Sequence, residues 1–377
     1  MLILGPLWNM SRTTDRRGGR DGSPRVVVVD DSPFMRGLIS DLLADAGVAV
    51  VGEAGDGEEA LSVVAETRPD VVTMDVEMPG MGGLEAVERL MEETPTPVLM
   101  LSAHTDEGAE VTFEALDRGA VDFFAKPGGE VSTGVSRESD RLVDAVRSVA
   151  DADLDAATRE RDDPTVAASR STGSGADAGA GADAADIDAP LTVVIAASTG
   201  GPNAVERVLS ALPMADCRVV VVQHMPEAFT SRFADRLDAA SAYDVREASD
   251  GARIGAGEVL VARGGSHTVI DSYRSGRLRV KLDEDDDSHT VTPAADVTMR
   301  SAAEVIDDPL VGVVLTGMGS DAAEGIRAMA DAGARTMAQS EDTCVIYGMP
   351  KRAVETGGVD AVYDLDDVAG AIVGGEA

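Results

Sequence analysis

The feature that most constrains this chain is an alternation that occurs twice. Short apolar runs rich in valine recur between helix-like segments from Arg25 to Lys126, and again from Leu191 onward. In the first stretch the expected strands are 26–29, 48–52, 70–74, 98–102 and 122–125. The expected helices are 33–46, 57–67, 83–93, 107–118 and about 137–150. Ser32 followed by Pro33 reads as the N-cap and first position of the first helix. In the second stretch the expected strands are 191–196, 218–223, 259–262, 279–282, 310–315 and 335–338. Strands that alternate with helices demand crossover connections, and so a parallel, doubly wound sheet covered on both faces. Two such stretches in 377 residues predict two α/β domains, 25–150 and 190–377.

Between them, residues 151–189 are mostly Ala, Asp, Gly, Ser and Thr, as in SRSTGSGADAGAGADAAD. Such a stretch buries too little apolar surface to offset the entropy of ordering, and reads as a flexible linker. A short helix over 150–160 is the alternative for its first part. Residues 1–24 are expected to be a disordered leader, with Met10 a candidate start. The apolar MLILGPLW precedes Arg12, Arg16 and Arg17, the reverse of a secretory signal.

The net charge is −36, and Lys126, Lys281 and Lys351 are the only lysines. That surface excludes nucleic acid and anionic membrane as partners, since both need a basic face. It suits a high-salt cytoplasm, where screening makes dense like charge tolerable. Two isolated cysteines, Cys217 and Cys344, argue against a disulfide framework or a zinc site. No apolar run approaches the length of a membrane span, so the protein is expected to be cytoplasmic, without direct membrane insertion. It is expected to act as a monomer.

In the first domain Asp30 and Asp31 close the first strand, Asp75 the third and Lys126 the fifth. Carboxyl ends of parallel strands share one edge, where such folds bind ligands. Carboxylates gathered there repel one another unless a hard cation sits among them. Mg²⁺ suits the role, because it takes one or two carboxylates and leaves room for a phosphate oxygen. A carboxylate can also be the nucleophile that forms an aspartyl phosphate. Taken singly, an Asp pair before Ser-Pro is often only a helix cap, and a lysine is usually a solvated surface residue.

In the second domain VVIAASTGGPNA runs a buried strand into Ser198, two glycines and a proline. A tight turn into a helix there exposes the Ser198 hydroxyl at the sheet edge, with a helix N-terminus behind it to favour developing negative charge. A plain Ser-Thr helix cap is the competing reading. His224 ends the run RVVVVQ, so it reaches the same edge. Asp321 lies in the loop after VGVVLTG. Serine, histidine and acid in this order form a workable triad, because triads are defined by roles rather than order. The same loop also spells Gly317-x-Gly319-x-x-Ala322 with Glu341 about 20 residues on, a dinucleotide-binding pattern. That pattern normally opens a domain, and it leaves Ser198 and His224 unexplained.

VVVVDDSPFMR, VVTMDVEMPGMGGLEAV, LMLSA and GAVDFFAKP resemble a two-component receiver, a flavodoxin-like five-stranded fold. The resemblance implies phosphorylation of Asp75. It implies Mg²⁺ held by Asp31, Asp75 and the Glu77 carbonyl, with Asp30 assisting. Ser102 becomes the switch hydroxyl, Phe123 the switch aromatic and Lys126 the phosphate contact, before an expected cis bond to Pro127. IAASTGGPNAVERVLSALP, VVVVQHMPEAFTSRFADRL and GVVLTGMGSDAAEGIRAMADAG resemble the catalytic domain of the chemotaxis protein-glutamate methylesterase (CheB) family. That implies Ser198 as nucleophile, His224 as base, Asp321 as its orienter and the Met318 N–H at the oxyanion, with no cofactor for the esterase step. The implied substrates are glutamyl γ-methyl esters, and glutamines, on chemotaxis receptors; the implied phosphodonor is the chemotaxis histidine kinase. The alternative is a non-catalytic regulator whose second domain only binds receptor or kinase.

Overall fold

The computed structural model describes residues 22–102, 106–126, 135–162, 190–284 and 289–374. The first domain is a five-stranded parallel sheet. Its strands are β1 (Arg25–Val29), β2 (Ala49–Ala54), β3 (Val71–Asp75), β4 (Val98–Ser102) and β5 (Asp122–Ala125), in the order β2-β1-β3-β4-β5. Helices α1 (Pro33–Asp45), α2 (Gly57–Thr67), α3 (Gly83–Glu93), α4 (Asp106–Asp117) and α5 (Val135–Ala150) alternate with them. Val26–Val29 are fully buried, as a strand covered on both faces requires. Ser32 caps α1 by accepting from the Met35 N–H at 3.4 Å. The order reverses at β1, so Asp30 and Asp75 end neighbouring strands at the switch point.

The sixth helix, α6 (Leu154–Asp162), occupies the start of the stretch read as linker. Asp153 caps it through Oδ1, accepting from the N–H groups of Asp155 and Ala156 at 2.9 and 3.1 Å. The Asp153 N–H donates to the Val345 carbonyl of the second domain at 3.0 Å. Ala156 is fully buried.

The second domain holds β6 (Leu191–Ala197), α7 (Gly201–Ala211), β7 (Cys217–Gln223), α8 (Glu227–Ala240), β8 (Asp244–Glu247), β9 (Arg253–Ile254) and β10 (Glu258–Val261). It continues through β11 (His267–Arg274), β12 (Arg277–Asp283), α9 (Ala295–Val305), β13 (Leu310–Val314) and α10 (Ala323–Asp331). It closes with β14 (Arg335–Gln339), α11 (Met349–Glu355), β15 (Ala361–Tyr363) and α12 (Leu365–Val373). Seven parallel strands run in the order β15-β14-β13-β6-β7-β10-β8. The chain winds outward from β6 through β7, then returns to β13 on the other side, so the switch point lies between β6 and β13.

Expectation and structure part at 279–282. That run belongs to β12, in a separate antiparallel sheet ordered β11-β12-β9. Ser275 and Gly276, both at positive φ, close the β11–β12 hairpin, which suits the right-handed twist of its strands.

The domains pack on each other through α4 and β5 on one side and α8 on the other. Phe123 meets Phe229 with ring centroids 4.6 Å apart, and Phe113 stacks on Phe233 at 6.0 Å. Arg236 pairs with buried Glu206 of its own domain and reaches Asp117 of the first domain at 2.9 Å. Val345 and Ile346 join the apolar cluster that contains Leu101 and Val121, with Met318 against it.

Candidate functional site

Two sheet edges carry the chemistry. At the first, the carboxylates of Asp30, Asp31 and Asp75 lie within 4.8 Å of one another, and among the described residues they are the group of acids able to hold a metal ion. The Lys126 ammonium bridges Asp30 Oδ2 at 2.9 Å and Asp75 Oδ1 at 2.8 Å. Burial pushes the Asp75 carboxyl above its ordinary value, against the pull of Lys126. Burial alone would lower Lys126, but its bonds to Asp75 and Asp30 hold it above the ordinary value. The Glu77 N–H points to Asp75 Oδ1 at 3.4 Å, which places that residue beside the cluster. Ser102 is fully buried at the end of β4, next to β3 and β5. Phe123 is buried, and its ring meets Phe229 in the seam between domains. The expected cis bond at Lys126–Pro127 lies outside the described residues. Hard oxygen donors with a cation already compensating them are what Mg²⁺ and a phosphoryl group require.

At the second edge Ser198 follows β6 and His224 follows β7. These strands are parallel neighbours whose last paired residues are Ala197 and Gln223, so Ser198 and His224 leave the sheet side by side. The His224 N–H donates to the Ala197 carbonyl at 3.1 Å, which continues the ladder one step. His224 Nε2 lies 2.7 Å from Asp321 Oδ2. Asp321 also accepts from the Ala295 N–H at 2.6 Å and the Asp296 N–H at 3.0 Å, at the start of α9. Burial tends to raise its carboxyl, but the His224 hydrogen bond, its charge and the two amides pull it down to about 2. Asp321 is therefore ionised at neutral pH. With Nε2 directed at Asp321, Nδ1 is the ring nitrogen of His224 left for a second partner.

The loop after β13 closes the site. Ser198 N–H donates to the Thr316 carbonyl at 3.0 Å, and Thr316 Oγ1 donates to the Thr199 carbonyl at 3.0 Å. Gly317 is tight against the Ser198 loop: a Cβ there would sit 2.7 Å from Ser198 Cβ. The next residue, Met318, donates no hydrogen bond from its N–H among the described residues. Gly319 and Ala322 of the rival pattern lie in the same loop and Glu341 follows β14, but the strand before the loop is the eighth of its domain.

Three residues at this site had no signal of their own in the sequence. Thr316 and Gln223 are buried polar groups inside apolar runs. Asp122 comes from the first domain: burial pushes its carboxyl up to about 6, against its bond to the Phe123 N–H, the hydroxyl of Thr199 and the charge of His224. It thus stands beside the residue that follows Ser198. Only a structure with both domains docked could reveal it.

An acid-pocket receiver docked on an α/β domain with a polar cluster at its own sheet edge defines a response regulator with an enzymatic output domain. Residues 26–132 match the family model of the response regulator receiver domain, and residues 193–372 that of the CheB methylesterase. A protein-glutamate methylesterase/protein-glutamine glutaminase of Haloarcula marismortui is 58% identical over 358 residues, covering 93% of this chain and 96% of its own. One of Natronomonas pharaonis is 55% identical over 350 residues, covering 92% and 96%. The crystal structure of the Thermotoga maritima CheB methylesterase catalytic domain is 36% identical with a TM-score of 0.47, covering 48% of this chain and 97% of that one. The chain belongs to the CheB family of protein-glutamate methylesterases/protein-glutamine glutaminases. Its haloarchaeal relatives agree with the high-salt source expected from the charge. Among the described residues no helix is long and apolar enough to cross a membrane.

Proposed function

We propose that this chain is a phosphorylation-activated hydrolase of glutamyl γ-methyl esters, and of glutamine side chains, on the cytoplasmic helices of methyl-accepting chemotaxis receptors. The observation that carries the site assignment is the 2.7 Å bond from His224 Nε2 to Asp321 Oδ2, at an edge where Ser198 and His224 emerge from adjacent strands. His224 Nδ1 takes the Ser198 proton as Oγ attacks the ester carbonyl. The oxyanion rests on the Met318 N–H, a donor of the kind worth about 3 kcal/mol in an acyl-transfer site. The imidazolium returns its proton to the leaving methoxide, and methanol departs. Water, deprotonated by the same nitrogen, then releases glutamate and restores Ser198. A glutamine follows the same path with ammonia as the leaving group.

Asp75 is the phosphoacceptor, and Asp30, Asp31, Asp75 and the Glu77 carbonyl would hold Mg²⁺. When bound, the ion neutralises phosphoryl oxygens that the acidic pocket would otherwise repel. Lys126 is placed to take one of those oxygens, and Ser102 to meet the phosphoryl group from β4. Phe123 supports the link to the esterase, because its ring touches Phe229 in the second domain. The chemotaxis histidine kinase supplies the phosphoryl group. The test is methanol release from methylated receptor: wild type releases it and Ser198→Ala does not. A chain that only binds receptor would release none with either.

A further inference from the structure

We infer that Gln223 is a positioning residue that sets the spacing between nucleophile and base, an inference that rests on the Ser198–His224 reading above. Its side chain is almost fully buried. Its Nε2 donates to the Ser198 carbonyl at 2.9 Å and to the His224 carbonyl at 3.2 Å. One amide nitrogen therefore ties together the two backbone units that carry the reacting groups. Both partners are acceptors, so the amide has a single workable orientation, nitrogen toward the carbonyls.

The other end of the amide argues that the position is held for this purpose. Gln223 Oε1 is buried with no hydrogen-bond partner among the described residues. An unpaired buried acceptor is unfavourable, of the kind kept where the arrangement serves something besides stability. The space it needs is left by Gly201, where a Cβ would lie 2.1 Å from Oε1. Beyond Ala197 and Gln223 the β6–β7 ladder gives out, and only the His224 N–H to the Ala197 carbonyl extends it. Just past that point the Gln223 amide replaces ladder bonds that the turn at Ser198 cannot make. Without the clamp, the Ser198 turn and the His224 carbonyl can drift apart while the strands beneath stay paired. A misplacement of about 1 Å at reacting atoms can cost about 100-fold in rate.

Two variants test this in the full chain. Gln223→Met keeps volume and removes the donor; Gly201→Ala keeps the glutamine and displaces its amide, and it also crowds Ala197. The first readout is the rate at which a fluorophosphonate phosphonylates Ser198, with loss of fluoride, in protein whose melting temperature matches wild type. The second is kcat against KM for methanol release. Both variants should label about 10- to 100-fold more slowly, with kcat reduced in proportion and KM within about twofold. Labelling at the wild-type rate in either folded variant overturns the inference. So does a loss confined to KM. If wild type itself is not labelled at Ser198, the triad reading has failed instead. If Gln223→Met does not fold, Gly201→Ala decides alone.

Discussion

Phe123 of the receiver lies against Phe229 of the catalytic domain, with ring centroids 4.6 Å apart and planes tilted by 33°. One partner is the proposed switch aromatic of the receiver, and the other sits on the first turn of the helix that follows His224. The contact therefore joins the proposed phosphorylation site to the proposed base through two short steps of chain. An aromatic pair of this kind adds about 0.5–1.5 kcal/mol beyond its buried area. On the proposal that the docked arrangement is the closed resting state and that phosphorylation opens it, Phe123→Ala should raise the unphosphorylated rate of methanol release by about 2- to 10-fold and shrink the further gain on phosphorylation. An unchanged resting rate would remove this pair from the closed state.

Asp321→Asn should cut kcat by about four orders of magnitude, less than Ser198→Ala, because Asp321 orients His224 and transfers no proton. Its carboxyl is lowered to about 2, so its support is present above the ordinary carboxylate range and is lost only as pH falls through about 2. An acid limb between pH 4 and 7 must then belong to another group. Steady-state pH profiles check both points: a limb in that window that disappears in Asp321→Asn would contradict the assignment.

Asp122 gives the docked state a pH dependence of its own. Docking buries its carboxyl and raises it to about 6, so the closed form takes up a proton more readily than the open one. The contribution to docking is full below the ordinary carboxylate value and is lost as pH rises through about 6. At pH 7.5 the buried charge opposes docking. Asp122→Asn removes that charge, so it should lower resting phosphonate labelling of Ser198 severalfold at pH 7.5. It should leave the phosphorylated rate near wild type. Faster resting labelling would mean the ionised carboxylate holds the domains together.

Acetyl phosphate with Mg²⁺ should place one acyl phosphate on wild type and none on Asp75→Asn. Chelation with EDTA should abolish labelling while leaving resting esterase unchanged, since the proposed route through Ser198, His224 and Asp321 uses no metal. Lys126→Arg should accept phosphate but activate poorly, because a planar fork replaces the compact ammonium that meets both Asp30 and Asp75. Mass spectrometry of the phosphorylated chain and methanol release decide these outcomes.

Much of this was legible in the residues because both domains are built from local signals. Val26–Val29, Ser32-Pro33 and Asp75 each announce a strand, a cap and a strand end within a few positions. The elements that were not legible depend on distant partners. Asp244–Glu247 is a charged edge strand paired with β10, and Arg253–Ile254 is two residues long. Leu154–Asp162 lies where the sequence left a short helix and a polar linker as alternatives, and the contact of Asp153 with Val345 ties its start to the second domain. Ser198 and His224 were visible as strand-end residues, whereas Gln223 and Asp122 gain meaning only from what they touch.

The most direct measurement is methanol release from methylated receptor by wild type and Ser198→Ala, each with and without acetyl phosphate and Mg²⁺. Coupling of about 1–3 kcal/mol between phosphorylation and domain opening corresponds to about 5- to 150-fold activation. The account predicts that wild type releases methanol and accelerates within that range, while Ser198→Ala releases none in either condition. Near wild-type release by Ser198→Ala, or a wild-type rate indifferent to phosphorylation, would contradict it.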